Sequence, residues 1–144
     1  MNRTAKAVAA IVVALALAGC TGSAADERDT ETITLTQDAL ANSVTQGGRE
    51  MYAGAAGAGG PEQSVQIELP LDRNGLTISG LCSGGEGTAL VRLNKQGPFE
   101  LPCSKDGEEQ EITRSLPLQG IRLLITVQGA PANVTWAIAA ASSP

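Results

Sequence analysis

The chain has no histidine, and only three of its 144 residues are aromatic: Tyr52, Phe99 and Trp136. Without histidine, neither a Ser-His-Asp nor a Cys-His nucleophile can be assembled, and no imidazole can ligate a metal. So few aromatics give a ligand-stacking platform little to be built from. Trp136 lies on the apolar parity of its run and reads as a core anchor. Cysteine is scarce, with three in the chain and none in a Cys-x-x-Cys pair, so redox catalysis lacks its spacing. Basic residues are few, 10 Lys and Arg against 15 Asp and Glu, for a net charge of −5. That balance disfavours nucleic acid and anionic headgroups as partners. The Gly-rich stretch Ser83-Gly84-Gly85-Glu86-Gly87 lacks the Lys-Ser/Thr ending of a phosphate loop, and it reads as a turn.

What is present begins at the first residues. Ala7 to Gly19 carries no charged or polar side chain over 13 positions, preceded by Arg3 and Lys6. This length fits a signal-peptide core, whereas a bilayer span needs roughly 20 residues. The run ends in Leu17-Ala18-Gly19-Cys20, after which the chain turns small, polar and acidic. The segment resembles the bacterial lipoprotein lipobox, a branched apolar residue and two small ones before a cysteine. The resemblance implies that Cys20 receives a diacylglycerol and becomes the first residue of the mature chain. Two acyl chains give durable membrane attachment, where one gives a marginal hold. The competing reading is an ordinary signal peptidase cutting after Ala16-Leu17-Ala18; the complete series of charge, core and box favours the lipoprotein. The expectation is a protein on the outer face of the cytoplasmic membrane, held by lipid on Cys20. Removing residues 1–19, with Arg3 and Lys6, leaves 125 residues bearing 8 basic and 15 acidic side chains, a net charge of −7.

Residues 20–48 have little apolar mass and read as a flexible acidic tether. Within it, Ile33 to Gln37 alternates like a short strand, and Asp38 to Val44 suits one or two helical turns. Tyr52 to Gly60 is rich in small residues, as in a linker or an edge strand approached closely by other backbone.

From Gln63 the apolar period becomes two. Val65, Ile67 and Leu69 share a face, as do Leu76, Ile78, Gly80 and Cys82; Ala89, Val91 and Leu93; Phe99, Leu101 and Cys103. Ile121, Leu123, Ile125 and Val127, then Val134, Trp136 and Ile138, follow the same rule. Turn residues separate these runs: Asn74-Gly75, Gly84-Gly85-Glu86-Gly87, Asp106-Gly107, Gly120 and Gly129-Ala130-Pro131. Short alternating runs at this spacing predict an all-β, antiparallel β-sandwich or jelly-roll-like domain over residues 49–141. Cys82 and Cys103 both fall on the inward parity. In an exported chain whose Cys20 carries lipid they have only each other, so a structural disulfide is expected. The stretches Cys82-Ser-Gly-Gly-Glu-Gly, Phe99-Glu-Leu-Pro-Cys103 and Val134-Thr-Trp-Ala-Ile-Ala together resemble the small uncharacterised β domains of actinobacterial-type lipoproteins. That resemblance implies a fold and no activity.

Glu108, Glu109 and Glu111 are carboxylates of the kind glycoside hydrolysis uses, but they read as a solvated loop and outer strand face. Asp106 and Glu108 lack the ligand order of an EF-hand, and Asn133-Val134-Thr135 is a glycosylation sequon of little meaning in a bacterial export context. No catalytic, cofactor or metal residue is expected. Two functions remain: a non-catalytic module binding an envelope polymer or protein partner, and a small carboxylate-dependent hydrolase acting on envelope polymer. Missing histidine, scarce aromatics and short length favour the first.

Overall fold

The computed structural model describes residues 24–143. Its elements are α1 (Ala24–Gln46), β1 (Met51–Ala58), β2 (Gln63–Glu68), β3 (Thr77–Ser83), β4 (Gly87–Leu93), β5 (Gln96–Cys103), β6 (Gln110–Thr113), β7 (Arg122–Gln128) and β8 (Thr135–Ala141). The strands form two four-stranded sheets, β1-β8-β3-β6 and β2-β7-β4-β5. Every pairing between these strands is antiparallel. The pairs β4·β5, β3·β6, β2·β7 and β1·β8 are nested as rungs of one long hairpin, and successive rungs alternate between the sheets. Every connection but β4–β5 therefore crosses from one sheet to the other. The result is a jelly roll, within the class that the alternating pattern predicts.

The hairpin's tip is Asn94-Lys95. Asn94 takes a positive φ of 56°, which asparagine tolerates better than most side chains. Its N–H donates to Leu124 O at 2.8 Å, and its Oδ1 accepts from Leu124 N at 2.9 Å, tying the tip to β7. Asn74-Gly75 is not the tight turn expected: Asn74 is a bend and Gly75 takes a positive φ of 74°, within a longer loop that carries the chain between sheets from β2 to β3.

Parity decides the core. Val65, Ile67, Ile78, Cys82, Ala89, Val91, Leu93, Leu101, Leu123, Ile125, Val127, Trp136 and Ile138 are all buried in one cluster between the sheets. The opposite parity of the second sheet, including Gln66, Glu68, Arg92, Glu100 and Arg122, faces solvent. Trp136 is 1% exposed and donates its Nε1 hydrogen to Ala58 O at 3.2 Å, so it is the core anchor its parity indicates. β1 is the edge strand that its small residues suggest. At Gly57 a Cβ would stand 2.6 Å from Trp136 Cζ2, so the indole needs glycine there.

Cys82 on β3 and Cys103 on β5 are joined by a disulfide that bridges the two sheets. Beside it Ser104 N donates to Cys82 O at 3.2 Å.

The segment expected to be a tether differs. From Ala24 to Gln46 it is one helix: the helical turns expected at Asp38–Val44 are its last part, and the strand expected at Ile33–Gln37 is helix instead. Its packed stripe is Thr36, Gln37, Leu40 and Val44, spaced three and four apart as one helical face requires. The stripe lies against Leu81, Ala137, Ala139 and Ala141 on the outer face of the first sheet. Those alanines have small side chains that let the helix approach closely. The folded unit therefore starts within the expected tether rather than at residue 49. β8, covered by the core on one side and α1 on the other, is buried at all seven positions instead of alternating.

The helix ends in a Schellman cap. Gly48 has φ of +77°, Gly48 N donates to Thr45 O at 3.0 Å, and Arg49 N donates to Val44 O at 3.4 Å. This cap reverses the chain into β1 and fixes where Arg49 begins. β6, only four residues long, is the strand that no alternating run announces.

Candidate functional site

Among the described residues, two clusters and a cleft stand out in bringing polar side chains together. The first cluster lies where α1 ends. The cap delivers Arg49 over the outer face of the first sheet, where its Nη2 donates to Glu109 Oε1 and its Nη1 donates to Ser79 Oγ at 3.2 Å. Ser43, on the last turns of α1, donates its hydroxyl hydrogen to Glu109 Oε2. The side chains of Arg49 and Glu109 are 14% and 19% exposed. Burial alone would raise the Glu109 pKa. The hydrogen bonds from Ser43 and Arg49, the Arg49 charge and the Ser79 hydroxyl outweigh it, so the carboxyl is held below its ordinary value. Glu109 is thus no solvated loop residue. It is an ionised clamp between helix and sheet, and a carboxylate held ionised is poorly placed to act as a general acid.

The second cluster sits further back along α1. The hydroxyls of Thr36 and Thr135 share a hydrogen bond of 2.6 Å, and Thr36 also donates to Thr32 O at 2.9 Å. Ser83 lies 3.4 Å from Thr36 Oγ1. Gln37, on the same stripe, is 6% exposed, and its Nε2 has no hydrogen-bond partner among the described residues.

The cleft lies at the other end of the sandwich, between the β2–β3 and β6–β7 connections. It has a volume of 310 Å³ and is lined by Arg73, Gly75, Leu76, Ser115 and Leu116. Arg73 Nη1 donates to Pro70 O and Gly120 O, both at 3.0 Å, which pins the guanidinium across the two loops. Tyr52 reaches the same region, its hydroxyl accepting from Asn74 N at 2.9 Å. Among the described residues Arg73 has no carboxylate partner within 4.0 Å. One cation, one hydroxyl and two leucines can orient an anionic or carbonyl-bearing group against an apolar surface, and they include no acid or base for proton transfer.

Of the residues singled out in the sequence, Cys20 lies outside the described residues. Cys82 and Cys103 are brought together as a bond. Glu108 is exposed, and Glu111 is exposed and paired with Arg114 at 2.7 Å. The turn at 83–87 and Asn133 meet each other: Asn133 Nδ2 donates to Gly84 O at 3.3 Å. Among the described residues no three or more His, Cys, Asp or Glu side chains gather as a metal site, and no helix is long and apolar enough to cross a membrane. Sequence reasoning missed the Arg49–Glu109 clamp and the Arg73 cleft. The available signal for the cleft was weak, a cation directly before Asn74-Gly75; what fixes Arg73 is its pair of hydrogen bonds to Pro70 O and Gly120 O. Comparison with known protein families, curated proteins and solved structures finds no match.

Proposed function

We propose that this chain is a membrane-anchored lipoprotein of the bacterial envelope, on the outer face of the cytoplasmic membrane, that presents a jelly-roll domain as a non-catalytic binding module. The observation that carries the reading is the series Arg3, Lys6, the apolar run Ala7 to Gly19 and Leu17-Ala18-Gly19-Cys20. The inter-sheet disulfide supports it, because such bonds persist outside the reducing cytosol. The cleft supports the binding half, since its lining offers donors and apolar surface for an envelope polymer or a protein partner. A small carboxylate-dependent hydrolase draws no support from Glu109 or Glu111: Glu109 is engaged by Arg49 and Ser43, and Glu111 by Arg114.

Growth of producing cells with an alkyne-bearing fatty acid tests the anchor. The wild-type protein takes up the label and sediments with membranes, while Cys20→Ser does neither. Equal labelling of both overturns the anchor. Incubation of the purified protein with isolated envelope polymer tests the module, with retention and no fragment release as the expected result. Fragment release abolished by Glu109→Gln or Glu108→Gln in a folded protein overturns it in favour of the hydrolase.

A further inference from the structure

The helix that covers the first sheet is also the route to Cys20, and its course gives the domain a direction. Thr36 meets Thr135, the first residue of β8, and Ser83, the last of β3. Beyond the helix's other end, Arg49 meets Ser79, and Glu50 N donates to Ser142 Oγ just past the end of β8. α1 therefore runs alongside β8 from its start towards its end. The helical residues 24–35 project past the strand ends, about 18 Å of helix at 1.5 Å per residue. From Thr30 to Leu35 every side chain but Ile33 is exposed, as a projecting helix requires. Only Thr21, Gly22 and Ser23 separate Cys20 from α1, a contour of at most about 14 Å.

We propose that the β1–β2, β3–β4, β5–β6 and β7–β8 connections face the membrane, and that the opposite end, with the Arg73–Ser115 cleft, points outward. The inference rests on the reading of Cys20 as lipidated. Charge is distributed to match a domain held off the bilayer. The membrane-facing connections carry Glu62, Glu86, Asp106, Glu108 and Glu109 against Lys105, and the sequence of the projecting helix has Asp26, Glu27, Asp29 and Glu31 against Arg28. Anionic headgroups repel both over a Debye length of about 8 Å. A helix lying in the interface is rich in basic residues, and the sequence of this segment is acidic. The outward connections carry Arg49, Arg73, Lys95 and Arg114 against Glu50 and Asp72, with Arg49 paired to Glu109. Charge alone would draw that basic end down to an anionic surface. The docked helix is what prevents the domain from turning over.

Energy transfer to lipid tests this. The lipidated full-length protein, extracted from the membrane of producing cells, is reconstituted into phosphatidylethanolamine–phosphatidylglycerol vesicles carrying a headgroup acceptor. A donor fluorophore is placed on Ala132→Cys, in the β7–β8 connection, or on Leu71→Cys, in the β2–β3 connection. Transfer is expected to be several-fold higher from position 132, for a height difference of about 20 Å, a strand of six or seven residues. Replacing residues 24–35 with a Gly-Ser linker of equal length is expected to remove the difference while the protein stays on the vesicles. Equal transfer from both positions, or higher transfer from 71, overturns the orientation and leaves the anchor intact. Failure to co-sediment with vesicles overturns the anchor and the orientation with it.

Discussion

At the scale of single residues, the helix–sheet interface holds one polar group that is well matched and one that is not. Glu109 is matched: the donors of Ser43, Arg49 and Ser79 and the Arg49 charge surround it, so its folded pKa lies below the ordinary 4.5. Above that value the carboxylate is ionised in both folded and unfolded chains, and its contribution is complete. As pH falls, the unfolded chain takes up the proton first, and the stabilisation is lost as pH drops through the folded value. Glu109→Gln should cost about 1.5–3 kcal/mol at pH 7, in the range of hydrogen bonds to charged groups. Thermal unfolding across pH should show the gap between wild type and variant closing below pH 4.5. A gap that is constant with pH would remove the charge from the account. Gln37 is the unmatched case, a buried amide nitrogen without a partner among the described residues. Leaving such a donor unpaired costs about 1–3 kcal/mol, so Gln37→Leu should raise the unfolding midpoint in denaturant. A lower midpoint would mean that the amide is satisfied in solution.

At the scale of elements, α1 is the part most at risk, because two large apolar side chains and a few hydrogen bonds hold it. Leu40 is 1% exposed and Val44 is fully buried. Leu40→Ala should cost about 2–4 kcal/mol. Amide exchange should then speed in α1 and in β8 beneath it before it does so in β4, β5 and β7. Uniform loss of protection would mean that the helix unfolds only with the whole. The same element shows what the sequence made legible. Strands β2, β3, β4, β5, β7 and β8 were readable because each has one face in the core, which writes a period of two into side chains as different as Val65 and Gln66. Of α1 only the last part, Asp38 to Val44, was readable as helix. Its stripe is half polar, Thr36 and Gln37 beside Leu40 and Val44, and its partner is a face of alanines that looks like low-complexity strand. The threonines also argue for a strand by propensity, yet Thr34 and Thr45 donate to the carbonyls of Thr30 and Ala41 at 2.9 Å, settling into the helix. The clamp was missed for the same reason: Arg49 and Glu109 meet only once α1 has docked. The cleft joins two loops distant in sequence, which no local pattern reports.

At the scale of the whole molecule, a thin core is closed by a nested hairpin and one covalent bridge. The disulfide spans a sequence separation of 21 residues. In the chain-entropy model a loop of this size contributes about 3 kcal/mol, and replacing both Cys82 and Cys103 with Ala should cost about 2–5 kcal/mol. Denaturant unfolding of the double variant checks this, and stability equal to wild type would contradict a structural bond. The central claim is that this stapled domain stands on a lipid carried by Cys20. The intact mass of the protein extracted from membranes, before and after reduction and alkylation, tests it most directly. The account predicts a chain beginning at Cys20 with a diacylglycerol attached and no free thiol until reduction releases two. A chain that retains residues 1–19, begins at another residue or carries no lipid would contradict it.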